Sequence, residues 1–201
     1  MSPRQRSLVS LVVIALAIGA TALAWRLEPP PAPPPSADLR PVFDVPASAV
    51  RAVELDTWQG SLRAQRSSAG WQVESVRLGK GADRADAGLQ PPTAAEIDAA
   101  LNTLVAEVVA TPEIDRFSTE GTPLRDFGLD PPQAKIVLVL ESGEQRTLEI
   151  GELTITTSAL YARALPAQDV FEIGSLVFNN VAAALYRLRA LDTATAAEGN
   201  G

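Results

Sequence analysis

The chain has 201 residues, 46% of them hydrophobic, enough for the packed core of one ordinary domain or two small ones. It holds no cysteine and no histidine, which excludes thiol nucleophiles, disulfides, imidazole bases, haem ligation and the common zinc ligand sets. The formal charge is −7, and from Glu28 onward 14 basic residues stand against 24 acidic ones, so the folded part repels nucleic-acid phosphates and anionic headgroups.

Residues 7–24, SLVSLVVIALAIGATALA, are uncharged, and 18 helical residues rise about 27 Å, close to the hydrocarbon thickness of a bilayer. Arg4 and Arg6 precede this run, and Trp25 and Arg26 close it. The pattern predicts a single transmembrane anchor over 1–27 with a cytoplasmic N-terminus, leaving everything after Leu27 outside the inner membrane, in the periplasm. A cleaved signal peptide is the rival reading, because the run Leu8 to Ile18 is short and Ala22-Leu23-Ala24 has a small-x-small form. The anchor is preferred, and both readings imply export. No cysteine follows, so a lipoprotein anchor is excluded.

A Pro-rich linker is predicted over 28–41, where EPPPAPPPS places six prolines in nine positions and favours a stiff polyproline II spacer of about 3.1 Å per residue. An extracytoplasmic α+β domain is expected over 42–190, followed by a disordered tail over 191–201. Its first half reads as an antiparallel meander with strands at Val50–Leu55, Ser61–Arg66 and Trp71–Val76. A polar loop spans 79–88. Its Asp83 and Asp86 fit no calcium-loop spacing.

Thr93 and Glu96 form a capping-box pattern that opens a helix with one apolar stripe, Ile97, Leu101, Leu104, Val105 and Val108. Glu96, Asp98, Asn102 and Glu107 are expected on its solvated face. In the second half Pro131 and Pro132 end any helical turn through PLRDFG and launch a central strand at Ile136–Leu140. Ser142-Gly143 is predicted as a two-residue hairpin turn, with a partner strand QRTLEI ending at Gly151. Two further strands are expected near Leu160–Ala164 and Val170–Ile173. Gly174-Ser175 then caps a helix with the stripe Val177, Val181, Ala184, Leu185 and Leu188 and with Arg187 and Arg189 at its C-terminus. Each half thus reads as strands followed by one packing helix, either a duplicated unit or two small layers sharing a core.

Few groups are available for chemistry. Asp126 and Asp130 flank the FGL turn and are the first pair to test for a carboxylate hydrolase, although a turn cap and an exposed loop are the stronger roles for them. Lys80 and Lys135 are the only lysines and lie in no nucleophile motif, and no Gly-rich phosphate loop occurs. No catalytic, cofactor or metal residue is therefore assigned.

The ordered motifs FGLDPP (127–132), TLEIG (147–151), YAR (161–163) and VFEI (170–173), with GW at 70–71, the capped helix from Thr93 and the closing helix, resemble the domain of unknown function 4340 family over roughly residues 42 to 189. The resemblance implies a membrane-anchored extracytoplasmic protein, and association of some members with auxiliary components of ABC-type transport, including gliding motility. It brings no catalytic residues. The expected partners are envelope or transporter subunits, with no nucleic acid, and the expected role is a non-enzymatic module. A carboxylate hydrolase and a structural spacer that binds by strand addition are the alternatives.

Overall fold

Alternating polar and apolar residues build the first three strands, β1 (Val50–Thr57), β2 (Gly60–Ser67) and β3 (Gly70–Leu78), close to the predicted spans. The computed structural model describes residues 39–79, 90–119, 121–155, 158–167 and 169–192. The expected anchor over 1–27, the linker as far as residue 38, Asp83, Asp86 and residues 193–201 lie outside the described residues. No helix among the described residues is long and apolar enough to cross a membrane.

Hydroxyls set both tight turns of this meander. The Thr57 hydroxyl accepts from the backbone N–H groups of Gln59 and Gly60 and donates to the Gly60 carbonyl. The Ser67 hydroxyl likewise accepts from the Ala69 N–H and donates to the Gly70 carbonyl. Such local bonds offer the chain a turn in place of a longer ladder.

The first helix, α1 (Ala94–Ala110), begins with the predicted capping box: Thr93 Oγ1 accepts from the Glu96 N–H, and Glu96 Oε2 accepts from the Thr93 N–H at 2.8 Å. Leu101, Leu104, Val105 and Val108 are buried as expected, joined by Ala100 and Val109, while Ile97 packs at the margin of the core. Beyond it lies a strand that periodicity did not suggest, β4 (Arg116–Phe117), and then a 3-10 turn at Leu124–Phe127.

Strands β5 (Ala134–Leu140), β6 (Gln145–Leu153), β7 (Ala159–Leu165) and β8 (Val170–Gly174) follow, and then α2 (Leu176–Leu188). Three expectations change here. The hairpin between β5 and β6 has three loop residues, Glu141, Ser142 and Gly143. Its Leu140 carbonyl accepts from the Gly143 N–H at 2.9 Å, and Gly143 has φ +87°, the geometry of a turn followed by a left-handed bulge residue. Strand β6 runs through Gly151 rather than stopping there. Strand β5 is central as expected, with buried Ala134, Ile136, Leu138 and Leu140 alternating with exposed Lys135 and half-buried Val137 and Val139. Ser175 makes no side-chain cap, since its own backbone is already helical. The α2 stripe matches the expectation residue for residue.

The eight strands among the described residues join one antiparallel sheet in the order β3-β2-β1-β5-β6-β7-β8-β4. The fold is therefore α+β. The two meanders meet where β1 pairs with β5, with Val53 opposite Leu138 and Leu55 opposite Ile136. Both helices pack on that face. Their stripes form one cluster with Val53, Leu55, Leu62, Ile136, Leu138, Leu148, Ile150, Phe171 and Ile173. Burying each such leucine or isoleucine contributes about 2 kcal/mol, so this layer supplies the main driving force.

The ends of the folded part differ from the sequence boundaries. The Arg40 carbonyl accepts from the Glu113 N–H, and the Val42 N–H donates to the Thr111 carbonyl, so the end of the predicted linker is already tied to the segment after α1. At the other end Leu191 packs against the core, and residues 190–192 are helical, so the first residues of the expected tail belong to the fold.

Candidate functional site

The face of the sheet that the helices leave open has two dissimilar halves. Over β6, β7 and β8 it is crossed by the segment after β4, which includes the motif FGLDPP. Phe127 meets Tyr161 edge-on with ring centroids 5.2 Å apart, and Phe117 lies 5.9 Å from Tyr161 and 6.0 Å from Phe127. Leu129 is buried, and Gly128 takes a left-handed conformation, φ +66°, against the backbone and side chain of Glu152. Beneath this crossing Glu149 and Arg163, cross-strand partners on β6 and β7, form a nearly buried ion pair. FGLDPP therefore works as a strap over the second meander. Its prolines hold the exit into β5, where the Gln133 N–H donates to the Ile150 carbonyl.

The other half, over β3, β2, β1 and β5, stays open and concave. A cavity of about 530 Å³ is lined by Glu54, Asp56, Arg63, Arg77 and Lys135, with Ser61, Ser75 and Val137 between them. Register explains the gathering: Arg77 stands opposite Ser61, Ser61 opposite Asp56, and Asp56 opposite Lys135. The row continues to Glu149 and Arg163. Charge thus alternates along most of one row across the sheet. Arg63 and Glu54 approach to 3.6 Å on the neighbouring row, whereas Asp56, Arg77 and Lys135 enter no ion pair among the described residues. Three cations and two anions in a chain this acidic make the groove a local exception to the overall field. Period-two polarity in β1 to β3 was readable from the sequence; that Lys135 joins them depends on the β1–β5 pairing, which no local pattern announces.

Asp126 and Asp130 lie apart from this groove. Both are exposed, Asp126 on the 3-10 turn at 3.6 Å from Arg125, Asp130 just beyond it, and neither lines the cavity. The strap gives them turn positions, not a shared pocket. Lys135 is in the groove, while Lys80 lies outside the described residues. Among the described residues no three carboxylates gather as a metal site.

The face of α1 expected to be simply solvated does specific work. Asp98 accepts the Trp71 backbone N–H, and Asn102 Oδ1 accepts from Trp71 Nε1 at 3.0 Å and from Arg66 Nη2 at 2.8 Å. Arg66 stacks over the Trp71 ring at 4.7 Å. This cluster caps the start of β3, the edge strand, and a bulge between Val73 and Ser75 kinks its middle. Both features blunt the edge against strand addition.

Two titratable groups have displaced pKa values. The backbone and side-chain bonds from Thr93 hold the Glu96 carboxylate below the ordinary carboxylate range. Arg116 is raised, chiefly by its bond to Glu113 and then by Asp169, which pins β4 beside β8. Neither group lies in the groove.

The chain matches no family model, no curated protein and no solved structure.

Proposed function

We propose that this protein is a non-enzymatic, membrane-anchored extracytoplasmic module, an auxiliary or assembly component of an ABC-type envelope transport or motility complex, and that it meets a protein subunit through the open half of its sheet. The observation that carries this reading is the concave row of Asp56, Arg77 and Lys135 beside the Arg63–Glu54 pair. Exposed charges of both signs on rigid strands suit recognition of a complementary protein surface, where they steer encounter and fix register. The anchor over 1–27 and the stiff spacer after it would present the domain at the periplasmic side of the membrane. The two meander-and-helix halves fit a duplicated unit.

A photoreactive residue at Ser75, on the groove wall, tests the reading in cells. The expected outcome is an adduct with an envelope or transporter subunit. Absence of any protein adduct from Ser75 counts against it.

A further inference from the structure

We propose that the occupant of the open groove is an α-helix of the partner subunit, laid across the strands and carrying an acidic, a basic and an acidic residue at positions i, i+4 and i+7. The inference rests on the reading above that this half of the sheet meets a protein. On β3 and β2 the register makes a block of four: Arg77 stands opposite Ser61 and Ser75 opposite Arg63, so guanidiniums occupy two diagonal corners and hydroxyls the other two. Both anions of the lining, Glu54 and Asp56, belong to the next strand, β1. Lys135 follows on β5, directly opposite Asp56. Charge therefore runs basic, acidic, basic across the strands.

At ~4.8 Å per strand, the centre of the Arg–Ser block lies about 7 Å from β1, and β5 lies about 5 Å beyond it. Helical positions four and three residues apart rise about 6 and about 4.5 Å along the axis, so i, i+4 and i+7 come over the three charged columns. They also share one face of the helix. The lining spans three strand spacings, about 14 Å, across the strands but only one two-residue repeat, about 7 Å, along them, which sets the axis of the occupant. A helix fits better than an extended segment because β2, β1 and β5 are each paired on both sides. Their backbone groups have no bond to offer, and a helix satisfies its own.

The surrounding charges leave this pattern intact. Arg63 reaches Glu54 at 3.6 Å, but both side chains remain exposed, and such a pair is weak enough to exchange partners. Glu149, on the far side of Lys135, is already bonded by Arg163 under the strap. Glu74 sits at the β3 bulge and Asp130 in the strap, both outside the lining. Arg51 lies three residues from Glu54 along β1, and Glu152 three from Glu149 along β6, about 10 Å in each case, where salt screens an exposed charge. Nucleic acid and anionic lipid bring no cation for Glu54 and Asp56. A second copy of the chain would bring the same excess of 24 acidic over 14 basic residues.

The test uses the full chain in its native membranes, with a photoreactive phenylalanine replacing Ser75 in one variant and Val137 in another, at the β3 and β5 walls of the groove. The expected result, read by mass spectrometry, is two labels on one segment of one envelope or transporter subunit, about nine residues apart. A span of about 14 Å is about nine residues of helix at ~1.5 Å each but only about four of extended chain. Arg77→Glu should lower the adduct yield about ten-fold or more, and changing the facing acid of the labelled segment to lysine should restore it. Asp56→Lys should act likewise, with rescue when the segment's basic residue becomes glutamate. Glu107→Lys, exposed on α1, should leave the yield unchanged. Melting curves confirm that each variant folds. The helix is overturned by labels about four residues apart, by a labelled segment with no basic residue between acids, by failed rescue in both pairs, or by adducts to lipid or a second copy only. Where an envelope adduct remains, the wider reading of the groove stands without it, whereas no protein adduct from either position overturns both.

Discussion

Gly128 and Gly151 touch backbone to backbone: a Cβ on Gly151 would fall 3.2 Å from the Gly128 carbonyl carbon and well under 3.0 Å from the Phe127 carbonyl oxygen. The strap can lie on β6 only because neither residue has a side chain at the crossing. The Leu129 side chain also lies 3.1 Å away, but the Phe127 and Gly128 obstacles belong to the backbone and cannot swing aside. Gly151→Ala should therefore destabilise the domain by about 3 kcal/mol in urea unfolding, whereas Gly143→Ala, with φ +87° but nothing within 4 Å, should cost only about 1 kcal/mol. Equal costs would mean that the crossing is looser than described.

The Glu149–Arg163 pair offers a second check. The side chains retain only 10% and 12% of their exposure. Arg163→Met leaves a carboxylate under the strap without this cation and should cost about 3 kcal/mol. Replacing both residues, Glu149→Leu with Arg163→Met, should recover much of that loss, which a double-mutant cycle by denaturant melts would read directly.

Trp71 and Asp98 define a third. Asp98→Ala removes the acceptor for the Trp71 N–H at the start of the edge strand and should lower stability by about 1–2 kcal/mol. Because the edge then lies less protected, the variant should also show faster amide exchange along β3 and a greater tendency to self-associate, measured by hydrogen exchange and light scattering.

Glu96 gives a pH-dependent outcome. Its pKa in the fold lies below the unfolded value, because Thr93 bonds favour the ionised form. The contribution is therefore present above the ordinary carboxylate range and is lost as pH falls through the lowered folded value. The melting temperatures of the wild type and Glu96→Ala should differ at pH 7 and converge as pH falls below the lowered Glu96 value. A gap that persists unchanged in acid would show that the ionised carboxylate does not hold the cap.

How much of this was legible in the sequence depended on whether the cause was local. The stripe of α2 and the capping box of α1 are set by spacing within one helix, and both were read correctly. Strand β4, at two residues, is too short to show a period and exists because Ile114 and Asp115 bond to Glu172 across the sheet. The turn at Glu141–Gly143 was misplaced by one residue because Ser-Gly is compatible with more than one hairpin geometry. The role of FGLDPP as a strap required Gly151, distant in sequence, and the groove required Lys135 to arrive beside Asp56. Both depend on long-range pairing, which no window of residues contains.

We propose that the open half of the sheet holds a protein partner, and purification from native membranes would recover it. The full chain and an Arg77→Glu, Lys135→Glu variant, both shown to melt alike, would be recovered from detergent extracts and their co-purifying proteins quantified. The expected result is an envelope or transporter subunit retained by the wild type and depleted about ten-fold or more from the variant. A wild-type sample with no such subunit, or a variant that keeps it at the wild-type level, contradicts the claim.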